Sequence, residues 1–113
     1  MASDDTLAPG AVWFVESWVL SGRDVKDERP VVIVQGPRQG VAVVIVWART
    51  SNVDQPGVFT PARVVTGLTK NGVVAPRYQH SIDVALLKPP TCRFLGMLPE
   101  PYLSQVVQMW EAS

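Results

Sequence analysis

The sequence contains few of the residues that build metal sites and disulfides. Its 113 residues include one cysteine, Cys92, and one histidine, His80. A single cysteine excludes an intramolecular disulfide and a metal site made of several thiolates, and it favours a reducing cytoplasm. Ten acidic and ten basic side chains cancel. No overall positive charge therefore attracts nucleic acid, and RNA binding would require a local basic patch.

Long apolar segments are also missing. The longest run, residues 41–48, is far shorter than the roughly 20 residues that cross a bilayer. The acidic N-terminus lacks the basic and apolar regions of a signal peptide. Apolar residues make up 47% and charged residues 18% of the chain, which is typical of a packed globular protein. We therefore expect a soluble cytoplasmic protein without membrane contact, with a flexible tail over residues 1–9 and a single domain over residues 10–113.

Several short segments rich in valine indicate a β protein. Residues 11–20 are β-branched and aromatic, and predict a first strand. The runs "PVVIV" and "VAVVIVWA" are joined by "QGPRQG", so they predict a hairpin whose two faces are both covered. A weaker strand is expected over residues 58–65, at a sheet edge because of Pro61. The segment "VVAPRYQHSIDVALLK" predicts two short extended pieces broken at Pro76.

Only the C-terminal segment has the spacing of a helix. Leu103, Val106, Val107 and Trp110 follow each other at i, i+3, i+4 and i+7, so one apolar stripe is expected to pack on the sheet. Pro101 suits the first helical turn. Together the elements predict a mainly β fold, a small SH3-like antiparallel barrel closed by a C-terminal α-helix.

The order of short motifs along the chain resembles the MazF/PemK (Kid) family. The series comprises Pro-Gly-x-Val-Trp, a charged loop, Arg-Pro before four apolar residues, a strand ending in Thr-Ser-Asn, Gly-Leu, Gly-Val-Val, Ser-Ile-Asp and Gly-x-Leu before a helix. It extends over nearly the whole chain, from about residue 10 to residue 110. The resemblance implies a toxin of a type II toxin–antitoxin system that cleaves single-stranded RNA without a metal or other cofactor. It also implies an SH3-like barrel, a homodimer, and a cognate antitoxin whose disordered tail occupies the RNA groove.

Two positions correspond directly to functional residues of that family: Arg29, before the proline, and Thr50, at the end of the following strand. The physical chemistry of RNA cleavage supports both. When a ribose 2′-hydroxyl attacks phosphorus, negative charge grows on the non-bridging oxygens, and aimed donors stabilise it. Arginine supplies a planar fork that matches phosphate, and a hydroxyl of Thr50 or Ser51 supplies a further hydrogen bond.

The residues that move protons are left open by the sequence. After Gly-Val-Val the family carries an arginine and an aspartate, whereas this chain has Ala75, Pro76 and Arg77. His80 replaces a family arginine, and because imidazole titrates near neutrality we take it as a candidate acid or base. The loop "SGRDVKDE" differs from the family's sequence, and an acidic residue in it is an alternative base.

The other site predictions concern RNA contacts and the use of the barrel. The positions predicted to bind RNA are Arg23, Asp24, Lys26, Ser51, Asn52 and Arg77. Basic residues near strand ends, including Arg49, Arg63 and Lys70, form a positive track only if the fold gathers them on one side. Two alternative hypotheses are a catalytically silent barrel that binds RNA or a peptide, and a barrel that serves as a structural part of a larger assembly.

Overall fold

The computed structural model describes residues 5–16, 19 and 28–113. In this part of the chain the sheet has six strands and is followed by one α-helix. The strands are β1 (Ala11–Glu16), β2 (Glu28–Gln35), β3 (Val43–Thr50), β4 (Val58–Thr60), β5 (Gly72–Asp83) and β6 (Cys92–Met97), and the helix is α1 (Tyr102–Glu111). Within the same residues, no helix has the length and apolar character needed to cross a membrane.

The strands form one antiparallel sheet in the order β4-β5-β3-β2-β1-β6. The sheet curls into a half-barrel whose edge strands are β4 and β6. The mainly β prediction, a small antiparallel barrel with a C-terminal helix, is confirmed. The edge position predicted from Pro61 is also confirmed, since β4 ends at Thr60, immediately before that proline.

The central strands bury side chains on both faces of the sheet, because neighbouring residues of a strand point to opposite sides. Val31 and Ile33 of β2 belong to a first core with Trp13. Val32 and Val34 belong to a second core with Trp47. This explains why the runs of β2 and β3 are continuously apolar rather than alternating, as predicted for strands covered on both faces.

Helix α1 covers the second core. Val106 is fully buried, and Leu103 and Trp110 are partly buried against the same cluster. The Trp110 ring packs edge-on against Trp47, with ring centres 6.0 Å apart, a favoured aromatic geometry. The predicted helical stripe is therefore confirmed, although Pro101 precedes the helix as its N-cap rather than standing in its first turn.

Several boundaries differ from the sequence prediction. β5 is one continuous strand, so the prediction of two pieces broken at Pro76 is wrong. The chain accommodates the proline at an irregularity: Gln79 pairs with Trp47 and Val74 pairs with Arg49, so four residues of β5 face only Ala48. An unpaired backbone nitrogen is tolerated at such a bulge. β4 is shorter than predicted, and β6 was not predicted as a strand.

The N-terminal residues from Asp5 onward pack against the sheet. Asp5–Leu7 form a short 3-10 turn, and Leu7 contacts the first core. The Trp13 indole N–H donates to the Thr6 carbonyl at 2.7 Å. The predicted flexible tail over residues 1–9 therefore has ordered contacts within its described part. The second half of the predicted first strand lies mostly outside the described residues.

Candidate nucleic-acid interface

A pocket of about 240 Å³ lies where β2 begins and β3 ends. The two ends are neighbours because the strands are antiparallel. The loop that links β4 to β5 supplies the facing wall. The residues that line the pocket are Phe14, Arg29, Pro30, Arg49, Thr50, Ser51, Gly67, Leu68, Thr69 and Lys70. Three residues that the sequence assigned to the site, Arg29, Thr50 and Ser51, are thus brought together.

The register of β2 and β3 explains why Arg29 and Thr50 meet. Val31 pairs with Ala48, and continuing this antiparallel register by two residues sets Arg29 opposite Thr50. Residues directly opposite each other have Cβ atoms about 4.5–5.5 Å apart and share a face of the sheet. Both residues border the same pocket. Arg29 and Thr50 are therefore neighbours at the edge of this pocket.

The Thr50 hydroxyl is positioned by the turn that follows β3. Its oxygen accepts a hydrogen bond from the Asn52 backbone N–H at 3.1 Å, and the Asn52 side-chain oxygen in turn accepts from the Asp54 N–H at 3.1 Å. A hydroxyl that accepts in this way keeps its hydrogen for donation. Ser51 is exposed and lines the pocket beside Thr50. Asn52, predicted to bind RNA, is exposed in the turn and is outside the pocket lining.

Arg29 is a buried cation, with 8% of its surface exposed. Burial lowers the pKa of its guanidinium, and the neighbouring Tyr78 partly opposes this shift. The group nevertheless stays protonated at neutral pH, as arginine does throughout proteins. Its Cζ lies 5.6 Å from the centre of the Tyr78 ring, within cation–π range. A guanidinium held against a ring loses little freedom when it binds an anion.

Tyr78 connects Arg29 with Arg77, which the sequence predicted to bind RNA. The Cζ of Arg77 lies 5.9 Å from the centre of the same ring, and Arg77 is exposed. The two guanidinium carbons are therefore at most about 11.5 Å apart, the sum of the two distances. The sequence reasoning missed Tyr78. The available signal was an aromatic residue beside a basic one, in "PRYQH".

Arg49 is the second buried cation of the pocket. The sequence analysis considered it as part of a positive track for RNA, whereas in the structure it holds neighbouring segments together. It donates from Nε to the Thr60 hydroxyl at 2.7 Å, and from Nη2 to the carbonyls of Lys70 at 2.7 Å, Thr60 at 3.1 Å and Pro61 at 3.5 Å. These bonds tie both ends of the β4–β5 loop to β3. Arg49 is thus engaged by backbone and hydroxyl oxygens and is not an exposed member of a basic track.

The charges around the pocket favour an anion. Arg29 and Arg49 place two buried positive charges in its wall, and the exposed residue Lys70 adds a third. Among the described residues that line it, none is a carboxylate. Charges in a partly buried site act through a lower dielectric than in water. The described part of the pocket wall therefore carries positive charge.

The remaining predicted site residues are not at the pocket or are not described. His80 pairs with Val46, four residues before Thr50 on β3, which is about 13 Å along a strand. His80 is also outside the pocket lining. Its role as a candidate acid or base stays a prediction. Arg23, Asp24 and Lys26, together with the acidic loop residues considered as a base, lie outside the residues whose side chains the structure describes.

Comparison with known proteins adds no further assignment. No protein-family model matches the chain, and no curated protein matches it significantly. The resemblance to the MazF/PemK (Kid) family rests on the ordered series of residues in the sequence.

Proposed function

We propose that this protein is a metal-independent endoribonuclease that cleaves single-stranded RNA through attack of the ribose 2′-hydroxyl. The observation that supports it most is the convergence of Arg29 and Thr50 on one pocket in a positive part of the surface. The fold agrees with the barrel that the family resemblance implies. That resemblance adds a homodimer, a cognate antitoxin and a cytoplasmic location to the proposal.

The proposed reaction transfers one phosphoryl group within the RNA. The 2′-oxygen loses its proton to a base and forms a bond to phosphorus, while the bond from phosphorus to the 5′-oxygen breaks. The leaving oxygen takes up a proton, so the products are a 2′,3′-cyclic phosphate and a free 5′-hydroxyl. Arg29 and the Thr50 hydroxyl donate to the non-bridging oxygens, where negative charge develops in the transition state.

The test uses a fluorescently labelled, unstructured RNA in buffer containing EDTA. The wild-type protein is expected to give fragments with cyclic phosphate ends. Arg29→Ala is expected to slow cleavage by about 100- to 1000-fold, the usual effect of removing one preorganised donor. Arg38→Ala is the matched control, because Arg38 is exposed in the β2–β3 turn and outside the pocket lining. Cleavage that requires a divalent metal, or that is unchanged in folded Arg29→Ala protein, would contradict the proposal.

A second candidate function is RNA binding without cleavage. The observation that favours it is the absence of a carboxylate or imidazole among the described residues that line the pocket, since proton transfer needs such a group or an equivalent. In this case the same RNA would bind with an affinity that depends on Arg29, and prolonged incubation would give no cyclic phosphate product.

A further inference from the structure

One aromatic ring contacts two cations, of which only one belongs to the pocket. The centre of the Tyr78 ring lies 5.6 Å from the Cζ of Arg29 and 5.9 Å from the Cζ of Arg77. Arg29 lines the pocket, whereas Tyr78 and Arg77 are outside its lining. Arg29 is buried, and Arg77 is exposed. The second guanidinium therefore lies beyond the edge of the pocket, where a ligand that extends out of the pocket can reach it.

The irregular part of β5 brings Arg77 and Tyr78 together. Consecutive residues of a regular strand point to opposite faces of the sheet. In β5 the register shifts, and four residues lie opposite Ala48 alone. A bulge of this kind redirects side chains, so the guanidinium of Arg77 meets the ring of its own neighbour. Ala48 pairs with Val31 of β2, which places this part of β5 close to Arg29, two residues before Val31.

The shared ring limits the distance between the two positive charges. Both guanidinium groups are within cation–π range of Tyr78, and their carbons are at most about 11.5 Å apart. A helical nucleic-acid strand carries one phosphate per about 3.4 Å of its axis. The interval therefore matches phosphates that are close neighbours along a strand and not distant ones. Two cations held this close also repel each other, and two bound phosphates remove that repulsion.

From this geometry we infer that Arg29 and Arg77 bind two neighbouring phosphates of one RNA strand, and that Tyr78 is the residue that positions both guanidinium groups. Arg29 binds the phosphate at the pocket, and Arg77 binds the adjacent phosphate outside it. RNA as the ligand rests on the proposed function. The inference adds that a charged neighbour of the cleaved phosphate is part of what the protein recognises. The family that the sequence resembles carries an aspartate in this segment, so a cation here is particular to this chain.

Strands with a mostly neutral backbone test this spacing without any cleavage. The probes are fluorescently labelled 2′-O-methyl uridine strands, which lack the nucleophile, and their linkages are uncharged methylphosphonates except for the phosphates under test. One probe has two adjacent phosphates, and a second has a single phosphate. A third has two phosphates separated by about six neutral linkages, which is roughly 24 Å on a stacked strand.

Binding is followed by fluorescence anisotropy at low salt, where ionic contacts are least screened. We expect the wild-type protein to bind the adjacent pair about 2- to 5-fold more tightly than the separated pair, the range of one exposed ion pair. The two probes carry the same charge, so a general attraction to anions gives no difference between them. The single-phosphate probe is expected to bind no more tightly than the separated pair.

Variants assign this preference to the two residues outside the pocket. Arg77→Gln removes an exposed charge and is expected to bind the adjacent pair no more tightly than the separated pair. Tyr78→Phe keeps the ring and is expected to retain the preference, whereas Tyr78→Leu removes the ring and is expected to lower it. Arg38→Gln is the matched control, because Arg38 is exposed in the β2–β3 turn and outside the pocket lining. If Tyr78→Leu does not fold, Arg77→Gln alone decides.

The inference is overturned if the wild-type protein binds the adjacent and the separated pair equally or binds none of the probes. It is also overturned if Arg77→Gln keeps the wild-type preference, and an unchanged preference in folded Tyr78→Leu protein would overturn the role of the ring. A failure of the nuclease proposal is distinguishable, because natural RNA then stays intact while the preference for adjacent phosphates persists. If only the present inference fails, RNA is cleaved with dependence on Arg29, while the spacing of the phosphates has no effect on binding.

Discussion

Replacing Arg49 by methionine tests whether a buried arginine builds the pocket. Arg49 is 6% exposed and forms two bonds of 2.7 Å, to the Thr60 hydroxyl and the Lys70 carbonyl. Hydrogen bonds to charged groups contribute about 1.5–3 kcal/mol each. Methionine has a similar length and removes the cost of burying a charge, which offsets part of the loss. We therefore take the lower value for each bond and expect a loss of about 3 kcal/mol in unfolding free energy.

Urea unfolding followed by tryptophan fluorescence measures this change. With a slope of about 2 kcal/mol per molar urea, the midpoint of Arg49→Met falls by about 1.5 M. Arg49→Lys keeps the charge but not the fork that serves several acceptors, so an intermediate loss is expected. Arg38→Met, at an exposed turn position, is expected to stay within about 0.5 kcal/mol of the wild type. An Arg49→Met protein as stable as the Arg38→Met control would refute the structural role.

Two further predictions concern Arg77 and Cys92. If Arg77 contacts one phosphate, Arg77→Ala lowers the slope of log affinity against log salt by about 0.7 for a single strand; an unchanged slope in anisotropy titrations would exclude the contact. Burial raises the pKa of the Cys92 thiol from 9.0 to about 11, so the folded state holds this proton more tightly than the unfolded state. The resulting stability is complete below pH 9 and is lost as the pH rises towards 11. Between pH 9 and pH 11 the wild-type protein is therefore expected to lose more unfolding free energy than Cys92→Ala. Equal losses in urea unfolding would show that the pKa of Cys92 is not raised by folding.

Sequence patterns predicted the parts of the fold whose signal is local. Continuous valine runs are sufficient for β2 and β3, because burial on both faces gives an unbroken apolar run. Helical spacing is sufficient for α1, because burial along one stripe gives a period of about 3.6 residues. The path of β5 was not predictable in this way. A proline usually interrupts a strand. Pro76 is accommodated within β5 because the register shifts opposite Ala48. β6 carries a weak signal because, of its six residues, Cys92 alone is buried.

The candidate site was predictable to the same limited degree. Arg29 and Thr50 stand at the ends of consecutive strands, so a hairpin prediction already brings them near each other. The contacts of Arg49 and the ring of Tyr78 depend on pairings between segments distant in sequence. In the sequence, Phe14 is one more apolar strand residue. Its place in the pocket depends on the loop before β5, which lines the same pocket. Such long-range contacts leave no local pattern in a single sequence.

The most direct test of the proposed site is a double-mutant cycle on RNA cleavage with Arg29→Ala, Thr50→Val and the double variant. Groups that act on one transition state are strongly non-additive. If the guanidinium and the hydroxyl stabilise the same phosphate, the double variant is expected to be hardly slower than Arg29→Ala alone. Effects that multiply independently, or single variants that cleave RNA as fast as the wild type, would contradict the account.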